Sequence, residues 1–343
     1  MFHGAATALP SVPSRRGLRG SQGVELEETR DPERWMAAAQ AAGSTVTPFH
    51  SYGWLDLAAR MTRTRFTALV TRVDGADVGV VPWLSRARGP VVTVNWLPFP
   101  YVGPLVAPEH LSGVLRALRR LARRRRAVVS QFAFSPLAAV RRDDVEGHGF
   151  AVAQDGTYVV DTSQDVPRLW AGLEGRARTK IRKAERAGVV LSGADHPEEI
   201  LGRVVHEAFS ARGMSTGYPG DFPPRASDLA RSGLMVHWAV ARRGDDDVGA
   251  LVTLGLGTAG QVWQGGVLPR YRSTHANTLL YWDSIRWASE NGLRTLDLVG
   301  LPDEGIERFK SQFGGVRRTY PVLRRSAPGW FRLQRLAARV ADR

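Results

Sequence analysis

Cysteine is absent from the 343 residues of this chain. Without thiols the protein has no disulfides, no thiolate nucleophile and no cysteine-based zinc site. The histidines His206, His237 and His275 do not show the spacing of paired metal ligands, so we predict no metal site.

Long hydrophobic runs are also lacking. No uninterrupted apolar stretch approaches the roughly 18 residues of a membrane-spanning helix. Residues 1–24 mix proline and arginine with only a short apolar patch, and the apolar core of a signal peptide is missing. We therefore expect a disordered leader on a cytoplasmic protein.

Negative charge is scarce relative to positive charge, with 33 acidic against 47 basic side chains and a formal net charge of +14. Such a balance attracts polyanions such as RNA and phosphorylated substrates, and it allows peripheral contact with the inner face of a membrane. An arginine- and alanine-rich composition typical of a GC-rich genome gives the same excess. The total alone therefore names no binding site.

The length and the order of predicted elements indicate two domains. A chain of 343 residues, 43% of them hydrophobic, exceeds what one compact core usually holds. The elements predicted before a charged, glycine-rich break at 141–154 are helices beginning at Asp31 and Pro48, a hairpin over 66–84, a helix over 109–126 and a strand over 127–134. Those predicted after it are a strand at 158–161, helices at 169–187 and 201–212, a meander over 236–267, a helix over 274–291 and a strand at Thr295.

The stretch 305–315 is the first candidate for chemistry. It follows the apolar run 295–299, which predicts a buried strand, and it places Lys310 between Phe309 and Phe313. A residue just past the end of a core strand lies where α/β folds place their active sites, and an ammonium there can meet a charge that develops during a reaction. The alternative is an ordinary lysine that extends to solvent from an aromatic-anchored helix.

Two motifs in the second half, supported by two in the first, carry a resemblance. Residues 176–189 read R-x-x-x-x-I-R-K-A-x-x-x-G-V, and residues 305–314 read G-I-x-x-F-K-x-x-F-G. The first half contributes Thr-Pro-Phe at 47–49 and Tyr-Val-Gly-Pro-Leu at 101–105. Over about residues 25–325 the chain resembles the Fem-type aminoacyltransferases and their relatives in the GNAT superfamily.

The resemblance implies an α+β fold of two tandem GNAT-like domains, each a mostly antiparallel mixed sheet flanked by helices. We expect an N-terminal domain over 25–150, a catalytic domain over 151–325 and a basic C-terminal helix over 326–343. The implied activity is acyl transfer to an amine bound in a cleft between the domains. In the Fem branch the donor is an aminoacyl-tRNA and the acceptor is a cell-wall precursor or another small amine, whereas the wider superfamily uses acyl-CoA. We expect no other cofactor and no stable protein partner.

Lys310 matches the family lysine that stabilises the tetrahedral oxyanion, and Phe309 is expected to shape the pocket beside it. Asp297 matches a family position on the preceding strand, either as a catalytic group or as a cap for neighbouring amides. The general base that takes a proton from the amine stays open, with four candidates: Asp297, Asp303, Glu304 and His206.

Two basic segments are candidates for phosphate contacts. Arg178, Arg182 and Lys183 crowd one helix, and such clustering repels unless an anion lies nearby. We assign these three to substrate or phosphate binding, together with Tyr101 and Tyr218 from two loops. The alternative is a solvated face that nearby glutamates partly neutralise. The second basic segment comprises Arg116, Arg119, Arg120 and Arg123 to Arg126. It is either a surface that binds the tRNA backbone or a solvated helix face.

Three functions are compatible with these residues: aminoacyl transfer from tRNA, acyl transfer from acyl-CoA in polysaccharide or natural-product assembly, and a non-catalytic module that binds RNA or the envelope. The segment 272–277, where a CoA-binding loop would precede a helix, contains no glycine, which weakens the acyl-CoA alternative. The intact pair Phe309–Lys310 disfavours the non-catalytic one.

Overall fold

The computed structural model describes residues 23–211, 213, 215–327 and 330. The predicted leader lies outside these residues except for positions 23 and 24, and the predicted C-terminal helix lies outside them except for 326, 327 and 330. Within the described part of the chain, no helix is long and apolar enough to cross a membrane, and no cluster of three candidate metal ligands occurs.

The first half of the described chain consists of β1 (Glu25–Thr29), α1 (Pro32–Ala41), α2 (Tyr52–Thr62), β2 (Arg65–Val73), β3 (Ala76–Arg88), β4 (Val91–Val94), β5 (Leu105–Val106), α3 (Pro108–Arg124), β6 (Ala127–Ala133) and α4 (Arg142–Val145). The second half consists of β7 (Ala151–Asp161), α5 (Val166–Gly172), α6 (Gly175–Arg186), β8 (Val189–Ser192), α7 (Pro197–Ser210), α8 (Ala226–Ala230), β9 (Met235–Arg243), β10 (Asp246–Leu256), β11 (Ala259–Val267), α9 (Ala276–Glu290), β12 (Thr295–Asp297), α10 (Glu304–Ser311) and β13 (Val316–Ser326). Short 3₁₀ turns occupy Pro48–His50 and Pro269–Thr274.

Local sequence signals explain where two of these helices lie. Asp31 caps α1 by accepting hydrogen bonds from the backbone amides of Glu33 (2.9 Å) and Arg34 (3.3 Å), and Pro32 occupies the first helical position, as predicted. Helix α3 buries one apolar face between its arginines, and its buried residues are Leu111, Val114, Leu115, Ala117, Leu118, Leu121 and Ala122.

The strands form one continuous mixed sheet in the order β1-β2-β3-β4-β6-β13-β7-β12-β11-β10-β9-β8, with β5 paired to β3. Each half repeats one motif. An antiparallel meander (β2-β3-β4 or β9-β10-β11) is followed by a helix (α3 or α9), which leads into a strand parallel to the last strand of the meander. This repetition confirms that the predicted α+β fold contains two tandem units of similar topology.

Strand β13 joins the two halves. It pairs with β7 over nine positions, from Val316 opposite Val159 to Arg324 opposite Ala151, and with β6 from Val322 opposite Ala133 onward. Because β13, the last strand in the described part of the chain, lies between a strand of each half, the two sheets form one surface.

A hydrophobic core shared by both halves also connects them. Trp54 of α2 and Trp263 of β11 are both buried and meet edge to face, with ring centroids 4.9 Å apart. The amide of Gly220 donates to the carbonyl of Met61 at 2.8 Å. A buried aromatic pair of this kind stabilises the fold by about 0.5–1.5 kcal/mol beyond the contribution of its buried surface area. The interface between the halves is therefore part of the hydrophobic core.

Some sequence predictions are wrong at the level of elements. The helix predicted over 169–187 is two helices, α5 and α6, because Leu173 and Glu174 have extended backbone. Strand β7 begins at Ala151, inside the predicted break. The sequence patterns predict none of the strands β1, β4, β5, β8 and β13. The sequence of β13 carries two arginine pairs and Pro321, and Pro321 lies just beyond the pairing with β6, where a missing amide is tolerated.

Candidate active site at the end of β12

The site begins where two parallel strands stop pairing. Strands β11 and β12 pair only from Ala259 opposite Thr295 to Gln261 opposite Asp297, while β11 continues to Val267. The carboxyl end of a short parallel strand next to a longer one is a common place for ligands in mixed sheets. Asp297, the last residue of β12, therefore marks the centre of the candidate site.

Asp297 is completely buried. Its Oδ1 accepts a hydrogen bond from the hydroxyl of Thr157 at 2.6 Å and another from the amide of Val299 at 2.8 Å. Burial raises the pKa of Asp297 although both hydrogen bonds favour its charged form. Tyr101 of the first half is also fully buried beside this carboxylate, and burial, followed by the charge of Asp297, raises the pKa of its hydroxyl.

Lys310 lies on α10 with only 5% of its surface exposed, so it does not extend to solvent. Its Nζ donates to the carbonyl of Val299 and, at 2.7 Å, to the carbonyl of Gly300. Burial lowers the pKa of Lys310 to about 8, against the opposing attraction of Asp297 and Asp303. An ammonium carries three donors. Two are used by backbone carbonyls, and the third can serve a substrate oxygen.

The turn between Asp297 and Lys310 has an uncommon backbone. Val299 has φ = +51°, in the left-handed region that β-branched residues rarely adopt. Such conformations cost on the order of 1–3 kcal/mol and persist where the surroundings hold them. Here the amide of Val299 is bound by Asp297 and its carbonyl by Lys310. Two buried groups of opposite charge thus hold the turn from both sides.

Phe309 packs into an aromatic cluster with Tyr281 of α9 and Phe313. The ring centroids lie 5.0 Å (Phe309–Tyr281), 5.2 Å (Phe309–Phe313) and 5.4 Å (Tyr281–Phe313) apart. Phe309 meets Tyr281 and Phe313 edge to face, while Tyr281 stacks on Phe313, and these contacts fix the orientation of α10 on α9. Since Lys310 is the next residue on α10, the cluster fixes the start of its side chain.

The predicted phosphate-binding residues of α6 lie at different places. The guanidinium of Arg178 donates to the carbonyls of Ala171 (3.0 Å) and Leu173, so it caps the end of α5. Arg182 is exposed and lies over the ring of Trp170, 5.6 Å from its centroid.

Two lysines of α6 lie near the start of α9. Lys180 donates to the side-chain oxygen of Gln312 at 3.3 Å, two residues beyond Lys310. Burial, followed by the charges of Lys180 and Lys183, lowers the pKa of His275, the residue before α9. Positive charge from α6 therefore gathers beside the first turn of α9 and the end of α10.

Tyr218 belongs to the core between the halves. Its ring stacks on Phe222 at 4.2 Å, and its hydroxyl accepts a hydrogen bond from the indole of Trp263 at 3.3 Å. Burial raises the pKa of Tyr218. Among the candidate bases, Asp303 caps α10 by accepting from the amide of Ile306 (2.8 Å). Glu304 and His206 are exposed, and Asp297 alone of the four lies in the buried cluster.

The distribution of lysines in the sequence is a further signal for this site. Only three of the 47 basic side chains are lysines, namely Lys180, Lys183 and Lys310, and all three lie around this site. Arginine stays charged in proteins, whereas lysine changes its pKa readily when buried. A chain that uses arginine almost everywhere else therefore has its lysines where a tunable or compact cation is useful.

Comparison with known families identifies the second half. Residues 174–311, which span α6, the β9-β10-β11 meander, β12 and α10, match the family model described as an acetyltransferase (GNAT) domain. This segment is a GNAT domain. The chain that contains this domain is therefore an acyltransferase. Lys310 lies on α10, the last helix that the match covers.

Solved structures show the same fold over most of the chain. FemX superimposes with a TM-score of 0.62 at 13% identity, covering 86% of this chain and 96% of FemX. A tandem GNAT protein from the clavulanic acid biosynthesis pathway gives 0.58 at 14% identity, covering 88% and 98%. The L-PGS of Bacillus licheniformis gives 0.56 at 13% identity, covering 92% and 98%. No curated protein matches the sequence. At these identities the structural likenesses establish the fold alone.

Proposed function

We propose that this GNAT enzyme transfers an aminoacyl group from an aminoacyl-tRNA to an amine acceptor, a cell-wall precursor or a small metabolite, in the cytoplasm. The observation that carries the proposal is the buried ammonium of Lys310, held at the end of β12 with one donor left for a substrate. The likeness to FemX over 86% of the chain supports the choice of the Fem branch.

In the proposed reaction the amine attacks the ester carbonyl that links the amino acid to the tRNA. A tetrahedral oxyanion forms, and the remaining N–H of Lys310 donates to it. A preorganised donor of this kind contributes about 3 kcal/mol to the transition state. Collapse of the intermediate forms the amide and releases the ribose hydroxyl, while the attacking nitrogen gives up a proton.

Asp297 is proposed to act on the geometry of the site. Its Oδ1 is already used by Thr157 and the amide of Val299, so it holds the turn whose carbonyls bind Lys310. Its negative charge also favours the protonated form of Lys310. Both effects keep an ammonium in place for the oxyanion.

The donor is proposed to bring its phosphates to the first turn of α9. Lys180 and Lys183 add positive charge there, and the start of a helix attracts phosphate. The segment before α9 forms a 3₁₀ turn and ends in His275 at φ = +60°, with no glycine that would let a pyrophosphate approach the backbone closely. This favours RNA over CoA, although the same charge makes an acyl-CoA donor the second candidate.

A donor screen tests the proposal. The purified protein is incubated with a pool of amine acceptors from a cell extract, and either with charged tRNA or with acyl-CoAs, and new amides are detected by mass spectrometry. We expect products that depend on charged tRNA and disappear after ribonuclease treatment. Products formed only with acyl-CoA would support acyl-CoA as the donor and contradict the proposal. The absence of product with either donor would favour a non-catalytic module.

A further inference from the structure

A stripe of arginines lies on the first half, away from β12. Arg116, Arg119 and Arg123 follow one another at i, i+3 and i+7 along α3, so they share one face of the helix. Arg325 of β13 lies beside Arg119 and Arg123, and burial followed by these two neighbours lowers its pKa. We call these four residues the arginine stripe. His148 lies at its other end, where burial followed by Arg116 and Arg119 lowers the pKa of the imidazole.

No carboxylate neutralises the arginine stripe within the residues that the structure describes. Nearby basic residues do have partners. Arg125, at the end of the same helix, pairs with Glu28, and Arg142 of α4 pairs with Glu146. Like charges at helical spacing repel each other by a few tenths of a kcal/mol per pair, and partial burial increases the cost. A bound anion would offset this repulsion.

Two guanidinium groups of the arginine stripe, those of Arg119 and Arg325, have contacts that restrict their positions. The Arg119 side chain packs against Gly149, where an added Cβ would lie 2.6 Å from its Nη1. Gly149 has φ = +77°, so the turn that supports Arg119 both requires glycine and leaves room for the guanidinium. Nη1 of Arg325 lies 3.5 Å from the carbonyl oxygen of Ala127. Guanidinium groups fixed in this way are suited to phosphate, which they bind through paired hydrogen bonds.

We propose that the arginine stripe is a binding site for the phosphodiester backbone of RNA, which docks the body of the tRNA on the first half of the protein. The choice of tRNA rests on the proposed function. Contacts to the backbone position an RNA without reading its sequence, and this suits an enzyme whose chemistry takes place at the end of the molecule. The second half then holds the aminoacyl end, and the first half holds the remote helical part.

The structure favours RNA over a membrane surface. Peripheral helices that bind membranes insert an apolar face into the lipid. The apolar face of α3 is buried in the core of the first half, and none of the exposed large apolar residues in the described chain lies on α3. Attraction to anionic lipid does not require guanidinium groups at fixed positions. Paired hydrogen bonds to the phosphates of an RNA backbone do favour fixed positions.

The test compares two double variants of the full-length protein with equal loss of charge. Arg119→Gln/Arg123→Gln removes the centre of the stripe. Arg120→Gln/Arg124→Gln changes the same helix on the side that faces β1, where Glu25 and Glu27 line the groove. Binding of labelled, uncharged tRNA is measured by fluorescence anisotropy over a range of salt concentrations, and melting temperatures confirm that each variant folds.

We expect the stripe variant to bind tRNA about tenfold or more weakly. The slope of log K against log salt concentration should become shallower by about 1.4–1.8, since each of the two lost phosphate contacts contributes about 0.7–0.9. The control should stay within about twofold of the unchanged protein. Equal weakening of both variants would show diffuse attraction and overturn the proposal. So would a stripe variant that keeps tRNA binding while it loses binding to vesicles of phosphatidylglycerol. The donor screen could yield acyl-CoA products while the stripe variant still loses tRNA binding. That result would support the RNA-binding site and contradict the proposed aminoacyl-tRNA donor.

Discussion

The protonation of Lys310 gives the most demanding prediction. Burial lowers its pKa to about 8 from the usual 10.5, and the protonated form is the one that can donate to an oxyanion. Activity should therefore be lost as the pH rises through about 8. With a single group of this pKa, the protonated fraction falls from about nine-tenths at about pH 7 to about one-tenth at about pH 9, which predicts a drop in kcat/KM of about tenfold.

The same shift has a consequence for stability with a definite sign. Between about pH 8 and 10.5 the unfolded chain keeps a proton on Lys310 that the folded protein has released. The free energy of unfolding should therefore rise with pH across this window, relative to a Lys310→Met variant that lacks the group. Chemical denaturation of both proteins measures the difference and cancels the contributions of other titrating groups.

The assay can observe Lys310 directly because the chain has only three lysines. Protein labelled with ¹³C at the lysine ε-carbon should give three side-chain NMR signals, one of which disappears in Lys310→Met and titrates near pH 8. The kcat/KM of the unchanged protein should decrease around the same pH. The residual kcat/KM of Lys310→Met should not show this decrease. A signal that titrates near 10.5 would refute the burial argument, and an unchanged decrease of kcat/KM in the variant would refute the assignment.

Other substitutions test separate parts of the structure. Asp297→Asn removes the charge that favours the ammonium of Lys310, so the decrease of kcat/KM at alkaline pH should begin at a lower pH. A variant with a lower kcat but an unchanged pH profile would show that Asp297 has a structural role only. Trp54→Ala removes a fully buried ring from the core between the halves and should lower the free energy of unfolding by about 3–5 kcal/mol; a loss below about 1 kcal/mol in urea denaturation would show that the halves are held mainly by β13. Arg182→Ala should raise the KM for the phosphate-bearing donor more than it lowers kcat, and unchanged KM values for both substrates would count against a phosphate contact.

Sequence patterns predicted the elements that carry local signals. The cap at Asp31, the apolar face of α3, the meander of the second half and the strand at Thr295 all have composition or spacing that points to one structure. Strand β13 could not be found this way, because its arginines and Pro321 read as a polar loop. It becomes a strand only through its partners on both sides, which are distant in sequence.

The site was predictable in part for the same reason. The position of Lys310 after a buried strand follows from the sequence, and so does the break that ends β12. The left-handed conformation of Val299 does not, since a β-branched residue disfavours it and the surrounding structure imposes it. The approach of Tyr101 to Asp297 depends on how the two halves pack, and it leaves no local trace.

The central claim is that the buried ammonium of Lys310 stabilises the oxyanion of acyl transfer. The most direct test is the single-turnover rate of amide formation from charged tRNA, compared among the unchanged protein, Lys310→Met and Arg308→Met, an exposed cation on the same helix. Loss of one oxyanion donor predicts a rate about a hundredfold or more lower for Lys310→Met and a nearly unchanged rate for Arg308→Met. A folded Lys310→Met protein that transfers the aminoacyl group at the original rate would contradict the claim.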